Sequence, residues 1–216
     1  MESESLRITE IFYSLQGEST SSGLPTVFVR LTGCPLRCEY CDTAYAFEGG
    51  KKQSFAEILD EIARYQTRYI TVTGGEPLAQ PQCIELLRQL CDLGYRVSLE
   101  TSGAISVEQV DPRVVKVLDF KTPGSAEVGR NLYSNVQYLT PQDEVKFVIC
   151  DRADYDWSCM KIDQLDLKDT ACEILFSPSQ GQQCPRQLAE WILGDGLNVR
   201  MQLQMHKTIW GDQPGH

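Results

Sequence analysis

The chain has 216 residues, 42% hydrophobic and 23% charged, with a formal net charge of -10. That length supports one domain with its own core, the ordinary composition excludes disorder, and no apolar run approaches the ~18 residues of a membrane helix. Asp and Glu exceed Lys and Arg by 30 to 20, which argues against a nucleic-acid clamp, since each neutralised phosphate needs a cation, and makes a small molecule the expected partner.

The opening segment MESESLRITE is acidic and polar, unlike a signal peptide. Nine cysteines without an export signal point to a cytoplasmic protein, in which cysteine serves as buried thiol, metal ligand or redox group. A strand is predicted over 26–31, followed by the loop GCPLRCEYC. Ser54 and Glu57 then form a capping box ahead of Phe55, Ile58, Leu59 and Ile62, which share one helical face. A strand over 69–73 runs into TGGEP, and a helix is opened by Pro81 and closed by Gly94. Strands follow at 96–100, ahead of ETSG, at 115–120, ahead of KTPG, and at 144–149. Residues 151–170 are polar and Asp-rich and receive no assignment. A strand at 173–176 leads to SPSQG, Pro185 and Gly194 bracket a third helix, and a last strand over 199–205 leads into Met205-His206-Lys207.

Strands that alternate with helices imply a parallel sheet with helices outside it. Six or seven such units predict an α/β fold, an incomplete (β/α) barrel in one domain over residues 1–216; a doubly wound sheet is the alternative. Barrel enzymes carry their chemistry on loops after the strands, and the unusual segments all fall there.

Cys34, Cys38 and Cys41 form C-x3-C-x2-C. Structural zinc wants a fourth Cys or His, usually from a second close pair, and none is spaced that way nearby. Three thiolates suit a 4Fe–4S cluster with one iron open to another ligand. Zinc completed by a remote cysteine, and three unconnected thiols, are the alternatives. Cys83 and Cys91 lie on one helical face and read as core residues. Cys150, Cys159, Cys172 and Cys184 contain no close pair, and an auxiliary cluster built from them is the rival reading.

The triplet, Tyr40 before its last cysteine and the later Thr73-Gly74-Gly75-Glu76-Pro77 resemble the radical S-adenosylmethionine superfamily. Taken alone, the glycine segment is equally a plain turn. Ser14-Leu15-Gln16-Gly17-Glu18, Arg30, Asp42-Thr43 and Met205-His206-Lys207 narrow the resemblance to the 7-carboxy-7-deazaguanine synthase family, over nearly the whole chain.

That resemblance implies conversion of 6-carboxy-5,6,7,8-tetrahydropterin to 7-carboxy-7-deazaguanine in queuosine and 7-deazapurine biosynthesis. Hydrogen abstraction at C6 by the 5′-deoxyadenosyl radical would be followed by ring contraction and loss of ammonia. It implies one 4Fe–4S cluster on Cys34, Cys38 and Cys41, with S-adenosylmethionine near Tyr40, Cys41, Asp42, Gly75, Asp119, Phe120, Lys121, Ser177, Pro178, Ser179 and Gln180. Mg²⁺ would meet Thr43, whose hydroxyl is a hard oxygen ligand; the alternative for Thr43 is a turn-forming hydroxyl. Leu15, Gln16, Gly17, Arg30 and Thr73 would contact the pterin. Arg30 suits a carboxylate through its fork, although an Arg ending a strand is commonly an ion-pair partner. His206 reads either as a structural histidine or as a substrate or loop contact. The resemblance further implies a flavodoxin-like reductant and a homodimer, with no nucleic-acid or membrane partner. Ser19 stands where the family usually has glycine, so that turn is expected to differ, and no role is assigned to the tail 211–216. A glycyl-radical-enzyme activase and a non-catalytic iron–sulfur carrier are the rival functions.

Overall fold

The computed structural model describes residues 4–170, 172–211, 213 and 215. Its strands are β1 (Ser5–Leu15), β2 (Pro25–Leu31), β3 (Lys51–Ser54), β4 (Tyr69–Gly74), β5 (Arg96–Thr101), β6 (Val115–Phe120), β7 (Glu144–Ile149), β8 (Glu173–Pro178) and β9 (Arg200–Met201). They form one sheet in the order β3-β1-β2-β4-β5-β6-β7-β8-β9. From β2 to β9 every pairing is parallel, whereas β1 runs antiparallel to both β2 and β3. This is an α/β sheet of the incomplete-barrel kind, with an antiparallel flap along its first edge. Among the described residues no helix is long and apolar enough to cross a membrane.

The helices are α1 (Phe55–Ile62), α2 (Cys83–Asp92), α3 (Arg152–Gln164), α4 (Pro185–Gly194) and α5 (Met205–Trp210). The capping box starts α1: Ser54 Oγ accepts from Glu57 N, and Glu57 Oε2 accepts from Ser54 N at 2.7 Å. Apolar faces of the first four helices pack on one side of the sheet. Ile58, Leu87, Tyr155 and Leu188 join Val27, Val72, Leu99, Phe147 and Phe176 in a single core.

Because strand side chains alternate between faces, the opposite set points into the barrel. That inner set is largely polar: Arg30, Thr71, Thr73, Ser98, Glu100, Asp119, Glu144, Lys146 and Ser177. A continuous apolar run, as in a sheet buried on both faces, is therefore not what these strands carry.

The parallel strands leave a gap between first and last, and the loop after β1 reaches across it. Glu18 Oε2 pairs with Lys146 Nζ on β7 at 2.7 Å. Ser19 N donates to Gln202 Oε1 at 2.7 Å, and Thr20 donates from N and Oγ1 to the Glu144 carboxylate. Met205 N donates to Gly17 O at 3.0 Å.

Three expectations need correction. β1 and β3 carry no strand assignment in the sequence reading. The polar stretch 151–170 contains α3, started by Asp151, whose side chain accepts from Asp154 N. The strand expected over 199–205 shrinks to Arg200–Met201, because Gln202 turns its side chain to the β1–β2 loop and Met205 begins a helix.

Candidate active site

A cleft of about 420 Å³ opens at the C-terminal ends of the parallel strands. One half is built by the cysteine loop after β2. Gly33 takes φ +101°, a conformation glycine adopts readily, and turns the chain out of the strand. The loop is seated on the turn after β4: Glu76 N donates to Gly33 O at 2.8 Å, and a Cβ on Gly75 would lie 2.3 Å from that same oxygen. Only glycine permits this backbone-to-backbone contact. Glu76 is fully buried and accepts from Ser102 N at 2.8 Å, Leu78 N at 3.0 Å and both Ser102 Oγ and Thr101 Oγ1. It thereby locks the turn after β4 to the turn after β5.

Cys34, Cys38 and Cys41 are half-buried and line the cleft. Burial raises the Cys34 thiol and pushes Cys38 up to about 11, so these thiols ionise against the cost of desolvation unless a cation compensates. Among the described residues no three His, Cys, Asp or Glu side chains close around a single metal ion. A polynuclear cluster spaces its cysteines around several irons, and these three thiols on one loop provide for that.

Beside the thiols, Tyr40 Oη and Asp119 Oδ1 are buried polar atoms without a partner among the described residues. Such atoms are costly unless something meets them. Burial pushes the Tyr40 phenol up. Burial also works to raise Asp119, but Lys121 at 2.9 Å and Lys146 at 3.6 Å outweigh it and hold the carboxyl below its usual range. Ser177, Pro178, Ser179 and Gln180 close this side. The orphaned oxygens and the thiols together fit a polar cofactor lying beside an iron–sulfur cluster.

The other half of the cleft descends into the polar interior of the barrel. Gln16 Nε2 donates to Thr71 Oγ1 and Glu100 Oε1, each at 3.2 Å, and Thr73 Oγ1 donates to Glu100 Oε2 at 3.0 Å. Glu100 thus ties Gln16 to Thr73, and its burial raises its pKa. Arg30 Nε pairs with Glu10 at 2.7 Å, while the guanidinium lies 5.7 Å from the Phe12 ring centre and 5.8 Å from that of Tyr45. Arg30 is therefore an ion-pair partner that also lines the cleft. Gly17 packs so closely on His206 that an added Cβ would stand 2.1 Å from its Nδ1. Burial lowers the His206 pKa, which favours the neutral ring at pH 7.

Between the two halves, Thr43 Oγ1 donates to Asp42 Oδ1 at 2.9 Å. Burial works to raise Asp42, yet Lys207, 3.1 Å from Oδ2, together with donors from Thr43 and Gln204, holds it at about 2.

Leu15, Gln16, Gly17, Arg30 and Thr73 thus line the same cleft as the thiols, and so do the cofactor-side residues apart from Phe120. The Phe120 side chain is fully buried in the outer core, edge-on to Tyr133 at 5.6 Å, because the strand alternation that turns Asp119 inward turns Phe120 away.

Sequence reading did not single out Lys146, Glu100, Glu18, Gln204 or Lys207 as site residues. Lys146 is held well above its ordinary pKa, because Glu18, Asp119 and Glu100 outweigh its burial. For Lys146 and Glu100 the available signal was a charge at an inward position of a strand, as in EVKFVI and RVSLET, while Glu18 and Lys207 stood inside motifs without a role assigned to them.

Residues 28–119 match the Radical SAM superfamily. The chain is 42% identical to the 7-carboxy-7-deazaguanine synthase of Koribacter versatilis, covering 95% of this chain and 97% of that one. It is 45% identical to the 7-carboxy-7-deazaguanine synthase of Chlorobaculum tepidum, covering 95% and 94%. Its fold superposes on the crystal structure of QueE from Escherichia coli with a TM-score of 0.78, at 26% identity over 94% of this chain and 95% of the other.

Proposed function

The chain belongs to the 7-carboxy-7-deazaguanine synthase family of radical SAM enzymes, and we propose that it converts 6-carboxy-5,6,7,8-tetrahydropterin to 7-carboxy-7-deazaguanine and ammonia as one domain over residues 1–216. The observation that carries this reading is a single cleft with two unlike halves. Three thiols, and two buried oxygens with no partner among the described residues, face a polar pocket containing Arg30, Gln16 and Thr73.

Membership of this family implies a 4Fe–4S cluster and S-adenosylmethionine. When bound and reduced, they supply the 5′-deoxyadenosyl radical that takes the hydrogen at C6. Cys34, Cys38 and Cys41 hold the cluster. Gly75 seats the turn after β4 against the cysteine loop beside the methionine portion, and Tyr40, Asp119, Lys121 and the 177–180 turn receive the rest of the cofactor. In this reading the free N–H groups of Arg30 take the pterin carboxylate, while Glu10 fixes the guanidinium from behind. Leu15, Gln16, Gly17 and Thr73 seat the ring, with Glu100 setting the orientation of Gln16 and Thr73. Thr43 offers an oxygen to Mg²⁺, its proton directed to Asp42, an outer partner of the kind that orients metal ligands. A flavodoxin-like donor as reductant and a homodimer as the working assembly complete the proposal.

The test is anaerobic turnover of the reconstituted protein with dithionite, S-adenosylmethionine and the carboxypterin. Formation of 7-carboxy-7-deazaguanine with one ammonia per turnover is expected. Cleavage of S-adenosylmethionine with the pterin left intact would sink the substrate assignment.

A further inference from the structure

A buried carboxylate outside the cleft is connected to the cysteine loop through a chain of hydrogen bonds. Asp154, on the first turn of α3, is 1% exposed. Three neutral donors meet it: Gly124 N at 2.8 Å on Oδ1, with Thr122 Oγ1 and Cys150 N, both at 3.0 Å, on Oδ2. The contact with Gly124 is tight enough that a Cβ there would lie 2.5 Å from Asp154 Oδ2.

The bond to Cys150 N ties Asp154 to the chain just ahead of its own helix. The two bonds to Thr122 and Gly124 reach instead to the turn after β6. That turn is further closed on itself, Ser125 Oγ donating to Thr122 O at 2.6 Å and Glu127 N to Ser125 Oγ at 3.0 Å. Its far side holds the cysteine loop by the backbone. Glu39 N donates to Ser125 O at 3.1 Å, and Arg37 N donates to the Glu127 carboxylate. Arg37 and Glu39 flank Cys38. The same turn begins with Lys121, whose ammonium lies 5.9 Å from the Tyr40 ring centre.

We propose that Asp154 is a positioning residue for the cysteine loop: it pins the turn 121–127, and the pinned turn fixes the backbone on both sides of Cys38. The proposal rests on the radical SAM reading only for its catalytic consequence; the mechanical link stands without it. A loaded carboxylate of this kind is expensive to bury without donors, so replacing it with an amide turns an N–H toward one of the three donors and loosens the turn.

Hydrogen exchange on the unloaded chain, with the variants Asp154→Asn and Glu127→Ala, tests the link. In Asp154→Asn the amides of Arg37 and Glu39 are expected to exchange about tenfold faster, as for a local opening made easier, even though neither residue touches position 154. Glu127→Ala removes the acceptor, cuts the link at its other end and should speed Arg37 alone. In the reconstituted protein, Asp154→Asn should raise the KM for S-adenosylmethionine several-fold and change the electron paramagnetic signal of the reduced cluster, with the KM for the pterin unmoved. Faster exchange confined to 121–126 and the start of α3, with residues 34–43 unchanged, would overturn the proposal. If the wild-type chain bound no S-adenosylmethionine while the exchange coupling persisted, the family reading would fail and the link would stand.

Discussion

β6 and β7 carry a lysine–carboxylate pair at each end, and the two ends are finished differently. At the entry end Lys116 Nζ meets Asp143 Oδ2 at 2.9 Å, with the side chains 3% and 0% exposed. Asp143 also accepts from Lys116 N, Thr140 N and Thr140 Oγ1, between 2.7 and 2.9 Å. At the exit end Lys121 and Lys146 crowd Asp119 and Glu18, yet Asp119 Oδ1 and the neighbouring Tyr40 Oη are left without partners among the described residues. A buried polar network with its bonds made rigidifies a fold, and one with bonds missing awaits a ligand. The same residue chemistry thus supports the barrel at one end and receives molecules at the other.

The contrast breaks most sharply at the cysteines. Cys38→Ala should abolish 5′-deoxyadenosine formation and lower the iron content, while Tm stays within about 2 °C, since the thiol belongs to the cleft and not to the core. A large fall in Tm would place Cys38 in the structural half of the comparison. Asp143→Asn is the mirror experiment. Breaking one side of a buried pair costs about 3–5 kcal/mol, and Tm should drop by about 10 °C. The KM and kcat of the protein still folded at low temperature should not move; a shift in either would mean that the entry end reaches the site.

Gly17→Ala tests the seam between barrel and clasp. The added methyl would collide with His206, so the loop must shift. Displacements of this size cost up to ~100-fold in function, and about a tenfold rise in the KM for the pterin is expected, with that for S-adenosylmethionine unchanged. The smallest effect is at Ser19, which holds φ +68° without being glycine and bonds Ser21 through its hydroxyl. Ser19→Ala keeps the strain, loses those bonds and should cost ~1 kcal/mol. In Ser19→Gly, relief of about 1 kcal/mol offsets the same loss, and thermal unfolding should barely change. Equal destabilisation in both variants would show that the backbone angle carries no strain.

The parallel strands before β9 were legible because each sets Val, Ile, Leu or Phe at alternate positions between turn signals, and the loops after them stood out by composition. β1 was not, for a physical reason. A register shift between Ile8 and Glu10 interrupts the alternation of the strand, so its apolar residues do not keep to period two. The helix α3 hid because it buries Asp154 and Ser158 beside Tyr155 and Ile162, and a polar inner face erases the amphipathic stripe. In the cleft, the cysteines and glycines declared themselves by local spacing. Lys146 and Glu100 matter through partners more than 80 residues away, Glu18 and Gln16, and no local pattern reports a contact of that range. Phe120 shows the converse limit: the motif does not say which side of the strand a side chain takes, and here Asp119 faces the cleft while the Phe120 ring faces the outer core.

The clasp between Glu18 and Gln204 closes over a sequence separation of 186 residues. On the ribosome the cysteine loop emerges early and the later parallel strands follow in order, but this wall of the cleft waits for Gln204, 162 residues after Asp42. Contacts of such span form late. A nascent chain therefore exposes the three thiols long before its cleft is complete, and the two events are separated in time by the synthesis of every parallel strand after β2.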